Sequence, residues 1–344
     1  MVMTESEHVT WRELWAQATT ALGDRHHARW MCEVASGCDG PEFMAELAEP
    51  AMHGMVVHLD AMLARRAAGE PLQYVLGRWQ FRRLDMMVDR RVLIPRPETE
   101  WVCETALGLA RSLLASERAA ERLLIADLGT GSGAIGLSIA AELPIDSAYV
   151  WLADVSADAV DVASANLAGI GRNAQSVRIV QGSWFLALPN DLRGRLDLVV
   201  ANPPYIALDD PDVEAEVSQW EPHLALFGGA DGLRDIRSIV ADATPWLRPG
   251  GYLVLEIGAG QGAAVLALLN EAGLADGEIR SDLAGRDRIA VARRQTRPRR
   301  ADSVEASGEE FEQIALVQIE RAVDTSNIAS GREQRCAQHL AGDT

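Results

Sequence analysis

Short apolar runs alternate with amphipathic stretches along most of the chain after Leu123. The apolar runs predict buried strands, and the stretches between them have the spacing of helices. Predicted strands cover residues 123–127, 148–153, 177–181, 196–201, 252–257 and 287–292. Predicted helices between them include residues 133–142, 156–168, 232–247 and 260–272. This alternation favours a mostly parallel sheet with helices on both faces, so the sequence predicts an α/β fold.

The chain before this region predicts two further segments. Residues 1–78 contain apolar residues that recur at helical spacing, which predicts a small helical domain. Residues 79–97 alternate irregularly and predict a hairpin linker, with a turn near Asp89-Arg90. The α/β domain then spans residues 98–294.

The chain after the last predicted strand has a different character. Residues 295–344 begin with a run of arginines around Pro298 and continue as a polar segment. One short amphipathic stretch, residues 311–323, is a candidate helix. A charge run of this size is typical of a solvated tail, so we interpret the segment as a flexible extension.

The composition of the 344 residues narrows the function classes. The formal net charge is −18, whereas a nucleic-acid-binding surface needs clustered Lys and Arg. Hydrophobic content is 48% and charged content 24%, as in ordinary soluble proteins. The sequence shows no basic segment followed by an apolar stretch near its start, and no run of about 18 apolar residues, so neither a secretory signal nor a membrane span is expected.

The cysteines give no sign of a metal site. Cys32, Cys38, Cys103 and Cys336 have no C-x-x-C spacing. They are therefore interpreted as buried or free thiols of a reducing cytosol, and no zinc site or disulfide framework is expected.

The tetrapeptide Asn202-Pro203-Pro204-Tyr205 follows the predicted strand 196–201 directly. Two successive prolines cannot continue a sheet, so Asn202 lies at the carboxyl end of that strand, the edge where α/β sheets bind ligands. The Asn side-chain carbonyl and the backbone carbonyl at the first proline can accept both hydrogens of a planar –NH2 group, and the Tyr ring can cover that group. The alternative is a simple Asn-Pro turn between strand and helix.

A glycine-rich loop follows the first strand of the α/β region. Asp127 ends the strand, and the loop that opens the next helix contains Gly129, Thr130, Gly131, Ser132 and Gly133. Glycines allow close approach of the backbone to a ligand and a sharp turn into the helix.

The next strand ends in an acidic residue, Asp154, at the spacing expected of a ribose-binding carboxylate. The loop and this carboxylate together predict an adenosine-containing cofactor. The alternative for Asp154 is an N-cap of the following helix.

A second stretch, residues 256–262, has the same acidic-x-G-x-G-x-G pattern and also follows a strand. If it bound the cofactor, Asn202 would precede the cofactor loop in a permuted order, as in some DNA amino-methyltransferases. No strand ending in Asp follows it at the right distance, and residues 274–286 are rich in Gly and Asp. We therefore interpret residues 256–262 as a late strand-to-helix turn.

The loop, the ribose carboxylate and the Asn-Pro-Pro-Tyr motif together resemble the class I methyltransferases that use S-adenosylmethionine. Further motifs over roughly residues 10–294 resemble the HemK/PrmC family of peptide chain release factor N5-glutamine methyltransferases. These are Pro71 to Gly77 (PLQYVLG), Leu93 to Glu100 (LIPRPETE), Gly182 to Phe185 (GSWF), Glu221-Pro222, Gly229 to Leu233 (GADGL) and Asp282 to Arg288 (DLAGRDR).

The resemblance implies a seven-stranded, Rossmann-like methyltransferase domain and an N-terminal helical domain that helps to grip the release factor. It implies a cytoplasmic monomer that methylates a glutamine side-chain amide in the Gly-Gly-Gln loop of a class 1 release factor. It also implies that Trp184 lies near the adenine of the cofactor; the alternative is a core aromatic residue. Nothing in the resemblance extends to residues 296–344.

Two other functions fit parts of the sequence. A DNA or RNA base amino-methyltransferase could hold an adenine –NH2 with the same tetrapeptide, but such enzymes flip the base and need a basic surface. The charge of −18 and the lack of a large inserted domain argue against it. The third possibility is a binding module without catalysis, which the intact loop, Asp154 and Asn202 disfavour.

Overall fold

The computed structural model describes residues 9–116, 121–211, 215–282 and 284–296. Residues as far as Gln295 belong to one compact unit, Met1–Gln295. The candidate helix at 311–323 and nearly all of the predicted extension lie outside the described residues. The boundaries predicted at residues 78 and 97 remain predictions. In the described part of the chain, no helix is long and apolar enough to cross a membrane.

The N-terminal residues form helices, as their apolar spacing predicts. The N-cap of the first helix is Thr10, whose side chain accepts from the Glu13 N–H while the Glu13 carboxylate accepts from the Thr10 N–H. Its C-cap is Gly23, which has the left-handed backbone conformation. The helices pack around a core that includes Trp11, Met31 and Phe43. Their bounds are α1 Trp11–Leu22, α2 Arg25–Ser36, α3 Pro41–Ala45, α4 His53–Ala67 and α5 Leu72–Leu76.

A β-hairpin follows these helices. Strands β1 (Arg78–Phe81) and β2 (Leu84–Met87) pair antiparallel. Their connection turns at Arg82, which has a positive φ of 53°. The predicted turn near Asp89-Arg90 is present, since the Val92 N–H donates to the Asp89 carbonyl at 3.0 Å. That turn lies after the hairpin, whose two strands are connected at Arg82.

A seven-stranded sheet forms the centre of the remaining chain. Its strands lie in the order β5-β4-β3-β6-β7-β9-β8, parallel except that β9 runs antiparallel to both β7 and β8. The strands are β3 Leu123–Leu128, β4 Ala148–Asp154, β5 Val177–Gln181, β6 Leu196–Ala201, β7 Leu247–Glu256, β8 Leu274–Ser281 and β9 Asp287–Arg294. The predicted α/β class and the seven-stranded sheet are confirmed.

Strand β8 was not predicted by the apolar pattern. It lies at the sheet edge, most of its residues are not buried, and its pairing with β9 contains two register shifts. An edge strand with little buried surface needs no apolar run, and the Asp and Gly residues within it are typical of loops. Tertiary pairing with β9 therefore decides its conformation.

Helices cover both faces of the sheet and enclose two apolar clusters. One cluster includes Val102, Leu137 and Val162, and the other includes Ile236, Val240 and Val265. The helices are α6 Pro97–Leu114, α7 Ala134–Glu142, α8 Ala157–Leu167, α9 Ala215–Trp220, α10 His223–Leu226, α11 Arg234–Trp246 and α12 Gly262–Glu271. Burial of these faces explains the near-continuous apolar character of β3 and β6.

The order of the strands determines where in the sheet the site lies. The chain order reverses between β3 and β6, which is the switch point where open α/β sheets form a crevice. In the register of the sheet, Leu128 at the end of β3 pairs with Ala153 in β4 and with Ala201 in β6. The residues that follow these three strands therefore meet at one edge.

Candidate active site

A cavity of about 310 Å³ opens at the carboxyl ends of β3, β4 and β6. Three elements predicted from the sequence line it together, namely the glycine-rich loop, Asp154 and Asn202. The segment before α6 and a short helical turn after β5 complete the wall, through Pro95 and Trp184. The distances along the chain are large, but the sheet register brings these residues to a single site.

Asp127 supports the glycine-rich loop through hydrogen bonds of its side chain. The carboxylate is 1% exposed and does not line the cavity. Its Oδ2 accepts from the Thr130 hydroxyl at 2.6 Å and from the Gly136 N–H at 2.9 Å. Burial raises the pKa of Asp127 to about 6. Asp127 is thus a support for the loop, whereas Gly129, Thr130, Gly131 and Ser132 form the cavity surface.

Two glycines in the loop are required by close contacts. A Cβ at Gly129 would lie 2.9 Å from the Trp184 ring, and a Cβ at Gly133 would lie 2.7 Å from Leu137 Cδ1. Both residues also have positive φ values, 71° and 87°. Gly133 does not line the cavity, so its function is to turn the chain into α7.

Asp154 ends β4 and lines the cavity. Its Oδ2 accepts from the Gly131 N–H at 2.9 Å, and its Oδ1 accepts from the Ser156 N–H at 2.9 Å. Each carboxylate oxygen can accept more than one hydrogen bond, so both retain capacity toward a ligand. Burial raises the pKa of Asp154. The N-cap of α8 is Ser156, which accepts from the Ala159 N–H, so the capping alternative does not apply to Asp154.

Trp184 is a half-buried residue on the cavity wall. Its φ of 45° is a left-handed backbone conformation, which is rare for a bulky residue and costs on the order of 1–3 kcal/mol. The ring lies against Gly129 of the loop. A core aromatic residue would not need a strained backbone, so the observed conformation favours a ligand-facing function.

The four residues of Asn-Pro-Pro-Tyr divide into two pairs. Asn202 and Pro204 line the cavity, whereas Pro203 and Tyr205 do not. The Asn202 Nδ2 donates to the Thr99 hydroxyl at 3.3 Å. The Tyr205 hydroxyl donates to Glu256 Oε1 at 3.2 Å, and Gln261 Nε2 donates to the Tyr205 carbonyl at 2.9 Å. The Tyr205 side chain is thus tied to the end of β7.

The segment Leu93 to Glu100 contributes to the site more than its sequence revealed. Leu93, Pro95 and Thr99 line the cavity, although the motif carried no assigned role in the sequence. Glu221 holds the segment, since its carboxylate accepts from the Ile94 N–H at 3.0 Å and pairs with Arg96. The only sequence signal for these residues was the motif LIPRPETE itself.

The residues that line the cavity suit the positioning of a substrate and a cofactor more than acid–base catalysis. One end of the cavity carries a carboxylate beside a glycine loop and an aromatic ring, which fits an adenosine group. Asn202 presents an amide nearby. The second glycine pattern, residues 256–262, forms the turn from β7 to α12, as predicted. This fold and this site define a class I methyltransferase.

Comparisons with known proteins agree with that class and refine it. A family model described as the methyltransferase small domain matches residues 103–218, and one described as the PrmC N-terminal domain matches residues 13–77. A release factor glutamine methyltransferase from Xylella fastidiosa is 42% identical over 276 residues, which are 80% of this chain and 95% of that protein.

Two further relatives carry the same name. The protein from Moorella thermoacetica is 43% identical over 269 residues, 77% of this chain and 88% of the relative. The protein from Burkholderia pseudomallei is 40% identical over 273 residues, 78% of this chain and 92% of the relative. The chain belongs to the release factor glutamine methyltransferase family.

Proposed function

We propose that this protein transfers the methyl group of S-adenosylmethionine to the side-chain amide nitrogen of a glutamine in class 1 peptide chain release factors. The observation that carries the proposal is that a single cavity joins Asp154 and the glycine loop to Asn202. The first two groups suit the cofactor, and the third suits a planar amide. The names of the relatives at 40–43% identity support the same reaction.

The residues of the cavity fit the cofactor on structural grounds. Asp154 would accept hydrogen bonds from the ribose hydroxyls, the loop Gly129 to Ser132 would lie against the methionine part, and Trp184 would flank the adenine. A Cβ at Gly129 would lie 2.9 Å from the Trp184 ring, so the glycine allows that ring to pack against the loop on the cavity wall. When bound, the cofactor supplies a methyl group that its sulfonium charge already activates.

Asn202 would orient the glutamine. Its Nδ2 is engaged by Thr99, and Oδ1 has no hydrogen-bond partner among the described residues. An acceptor on the cavity wall can receive an N–H of the substrate amide. The Pro203 carbonyl is the proposed acceptor for the other N–H, although Pro203 itself does not line the cavity, and Pro204 and Tyr205 would fix the turn. These acceptors hold the nitrogen in place and stabilise positive charge that develops on it.

Proton removal need not precede methyl transfer. The amide nitrogen becomes positively charged only as it gains the methyl group, and its proton is then acidic enough to leave to solvent. The chain's contribution is therefore position and local electrostatics. A release factor presenting the glutamine of its Gly-Gly-Gln motif would be the partner, and the protein would act as a monomer.

A direct experiment tests this function against base methylation. The protein is incubated with methyl-labelled S-adenosylmethionine and either a purified class 1 release factor or a mixture of DNA and RNA. We expect label in the release factor alone, mapped by mass spectrometry to one glutamine. A release factor with that glutamine replaced by alanine is the matched control. Label in nucleic acid, or equal label in the alanine control, would overturn the proposal.

A further inference from the structure

The second acidic-glycine stretch, residues 256–262, has no role in the reaction described so far. Its two ends contact one residue of the Asn-Pro-Pro-Tyr tetrapeptide. The Tyr205 hydroxyl donates to Glu256 Oε1 at 3.2 Å, and Gln261 Nε2 donates to the Tyr205 carbonyl at 2.9 Å. Gln261 does not line the cavity, so an effect of its side chain on the reaction would act through the tetrapeptide.

The tetrapeptide offers few groups by which neighbouring segments can hold it. Pro203 and Pro204 have no backbone N–H, so neither residue can donate a hydrogen bond. The position of the segment therefore depends on its carbonyl oxygens, on the side chains at its two ends and on packing. The hydrogen bond from Gln261 to the Tyr205 carbonyl supplies such a contact directly after the two prolines.

Backbone groups fix the orientation of the Gln261 side-chain amide. Its Oε1 accepts from the Gly258 N–H at 2.9 Å, and a backbone N–H can only donate. Its Nε2 faces the carbonyl oxygens of Tyr205 and Gly232, at 2.9 and 3.3 Å, and a carbonyl oxygen can only accept. Rotation of the amide by half a turn would place like groups against each other at all of these contacts. Gln261 therefore joins the tetrapeptide to the loop before α11 in a single arrangement.

The loop before α11 packs directly on the backbone of the tetrapeptide. A Cβ at Gly228 would overlap the Pro204 carbonyl oxygen, and a Cβ at Gly232 would overlap the Tyr205 carbonyl oxygen. Gly232 also has a positive φ of 72°, so a side chain at this position is excluded by both contact and conformation. The Gln261 amide spans this contact, because it donates to the carbonyls on both sides. The end of the tetrapeptide is thus held between the loop before α11 and the turn from β7 to α12.

We propose that Gln261 is a positioning residue for methyl transfer, which holds the backbone of the tetrapeptide so that its acceptors face the substrate amide. This inference rests on the proposed glutamine methylation. The Pro203 carbonyl, the proposed acceptor of one substrate N–H, lies two residues before the carbonyl that Gln261 holds. A displacement of about 1 Å at the reacting groups can slow a reaction about 100-fold. Cofactor binding should be independent of Gln261, because Asp154 and the glycine loop belong to the ends of β3 and β4.

The first test replaces the donor of Gln261 without changing the size of the side chain. Gln261→Glu would place a carboxylate oxygen against two carbonyls, and Gln261→Met would remove the donor without adding charge. We expect kcat for release factor methylation to fall by about tenfold or more in the Glu variant and by less in the Met variant. The KM for the release factor and the calorimetric affinity for S-adenosylmethionine should stay close to wild type.

Gln80→Glu is the matched control, since it adds the same charge at an exposed position in β1 and should keep the wild-type kcat. Wild-type kcat in either Gln261 variant would overturn the proposal. A loss of S-adenosylmethionine affinity as large as the loss of kcat would also overturn it, because the whole site would then be disturbed.

The second test is a double-mutant cycle with Asn202→Ala, which removes the side chain that Gln261 would help to position. If Gln261 acts through the tetrapeptide, Gln261→Met should reduce kcat by a smaller factor in the Asn202→Ala protein than in the wild type. Equal factors in the two backgrounds would show that the residues act independently, which would refute the positioning role. If wild-type protein leaves the release factor unlabelled, the proposed function itself fails, which separates that outcome from failure of the positioning role.

Discussion

At the scale of single residues, the site depends on which atoms of a side chain are already occupied. Asn202 uses its nitrogen toward Thr99 and keeps its oxygen, and Asp154 accepts from two backbone N–H groups and keeps further lone pairs. Asp127 accepts through Oδ2 from the loop that it supports, and it is buried outside the cavity lining. Position relative to the cavity thus separates the supporting residue Asp127 from Asp154 and Asn202, which line the cavity.

Asn202 gives the most direct prediction for catalysis. Asn202→Ala should leave cofactor affinity nearly unchanged and reduce turnover by about 10²–10³, the usual scale for one well-placed hydrogen-bonding group in a transition state. Asn202→Asp keeps acceptor oxygens beside a nitrogen that becomes positive, so it should retain more activity than Ala. Turnover measured with a release factor checks both. An Asp variant as inactive as Ala, with substrate binding intact, would show that the –NH2 end of Asn202 is the important one.

Asp154 gives a prediction for cofactor binding. Asp154→Ala should weaken S-adenosylmethionine binding by about 1–3 kcal/mol, because the ribose hydroxyls lose a charged acceptor. Isothermal titration calorimetry measures this change. Asp161→Ala is a matched control, since Asp161 is an exposed carboxylate on α8 that does not line the cavity. Unchanged affinity in Asp154→Ala would remove this residue from the cofactor site.

At the scale of elements, the cavity is built by strand ends and closed by a segment that precedes a helix. The ends of β3, β4 and β6 contribute the loop, Asp154 and Asn202, which the strand order brings together. The segment from Leu93 to α6 also lines this cavity. Glu221 anchors this segment from a point more than a hundred residues later in the sequence.

The contacts of Glu221 with Ile94 and Arg96 predict an effect on the stability of the protein. Glu221 is 4% exposed, and Glu221→Ala would leave the Ile94 N–H and Arg96 without their acceptor. We expect a loss of about 1–3 kcal/mol in the free energy of unfolding, measured by urea denaturation. Glu221→Gln keeps a neutral acceptor and should cost less. If both variants unfold with the wild-type midpoint, Glu221 does not hold the segment.

At the scale of the whole molecule, the unit Met1–Gln295 contains the helices, the hairpin, the sheet and the cavity. Two carboxyl groups in its interior, Asp127 and Glu256, have a raised pKa. Folding therefore favours their protonated forms. The side chains of Glu70 and Glu142 are also little exposed, but arginine partners lower the pKa of both carboxyl groups.

The directions of these pKa shifts predict how the stability of the protein depends on pH. A raised pKa gives stability that is complete below the unfolded value and is lost as pH rises through the folded value. The contribution of Asp127 and Glu256 to the free energy of unfolding should therefore decline between about pH 4 and 7. Its Glu256 part should be about 3 kcal/mol at most, at roughly 1.4 kcal/mol per unit. Urea denaturation of wild type and Glu256→Gln checks this, and a decline of the same size in both would contradict it.

A truncation tests the predicted extension. A protein ending at Gln295 retains β9, which ends at Arg294, and every residue that lines the cavity. We expect its thermal midpoint and its rate of release factor methylation to match those of the full chain. A fall in activity beyond a few-fold, or loss of solubility, would show that the removed segment contributes to folding or to partner binding.

The sequence by itself determined the fold class, and it indicated several of the residues that line the cavity. Buried strands need apolar runs and ligand loops need glycines, and both requirements are visible locally in β3, β6 and the loop after Asp127. The positions of Asp154 and Asn202 at the cavity were predictable because Asp154 ends a parallel strand, Asn202 directly follows one, and the ends of such strands share one edge.

Only the tertiary structure decided how these residues are held. Thr99 and Asn202 lie 103 residues apart, so no local pattern shows that they share a hydrogen bond. Glu256 belongs to a turn that the sequence correctly separated from the cofactor loop, yet its contact with Tyr205 depends on the neighbouring positions of β6 and β7. Strand β8 forms because it pairs with β9. Each of these features depends on contacts between distant segments, which residue spacing does not record.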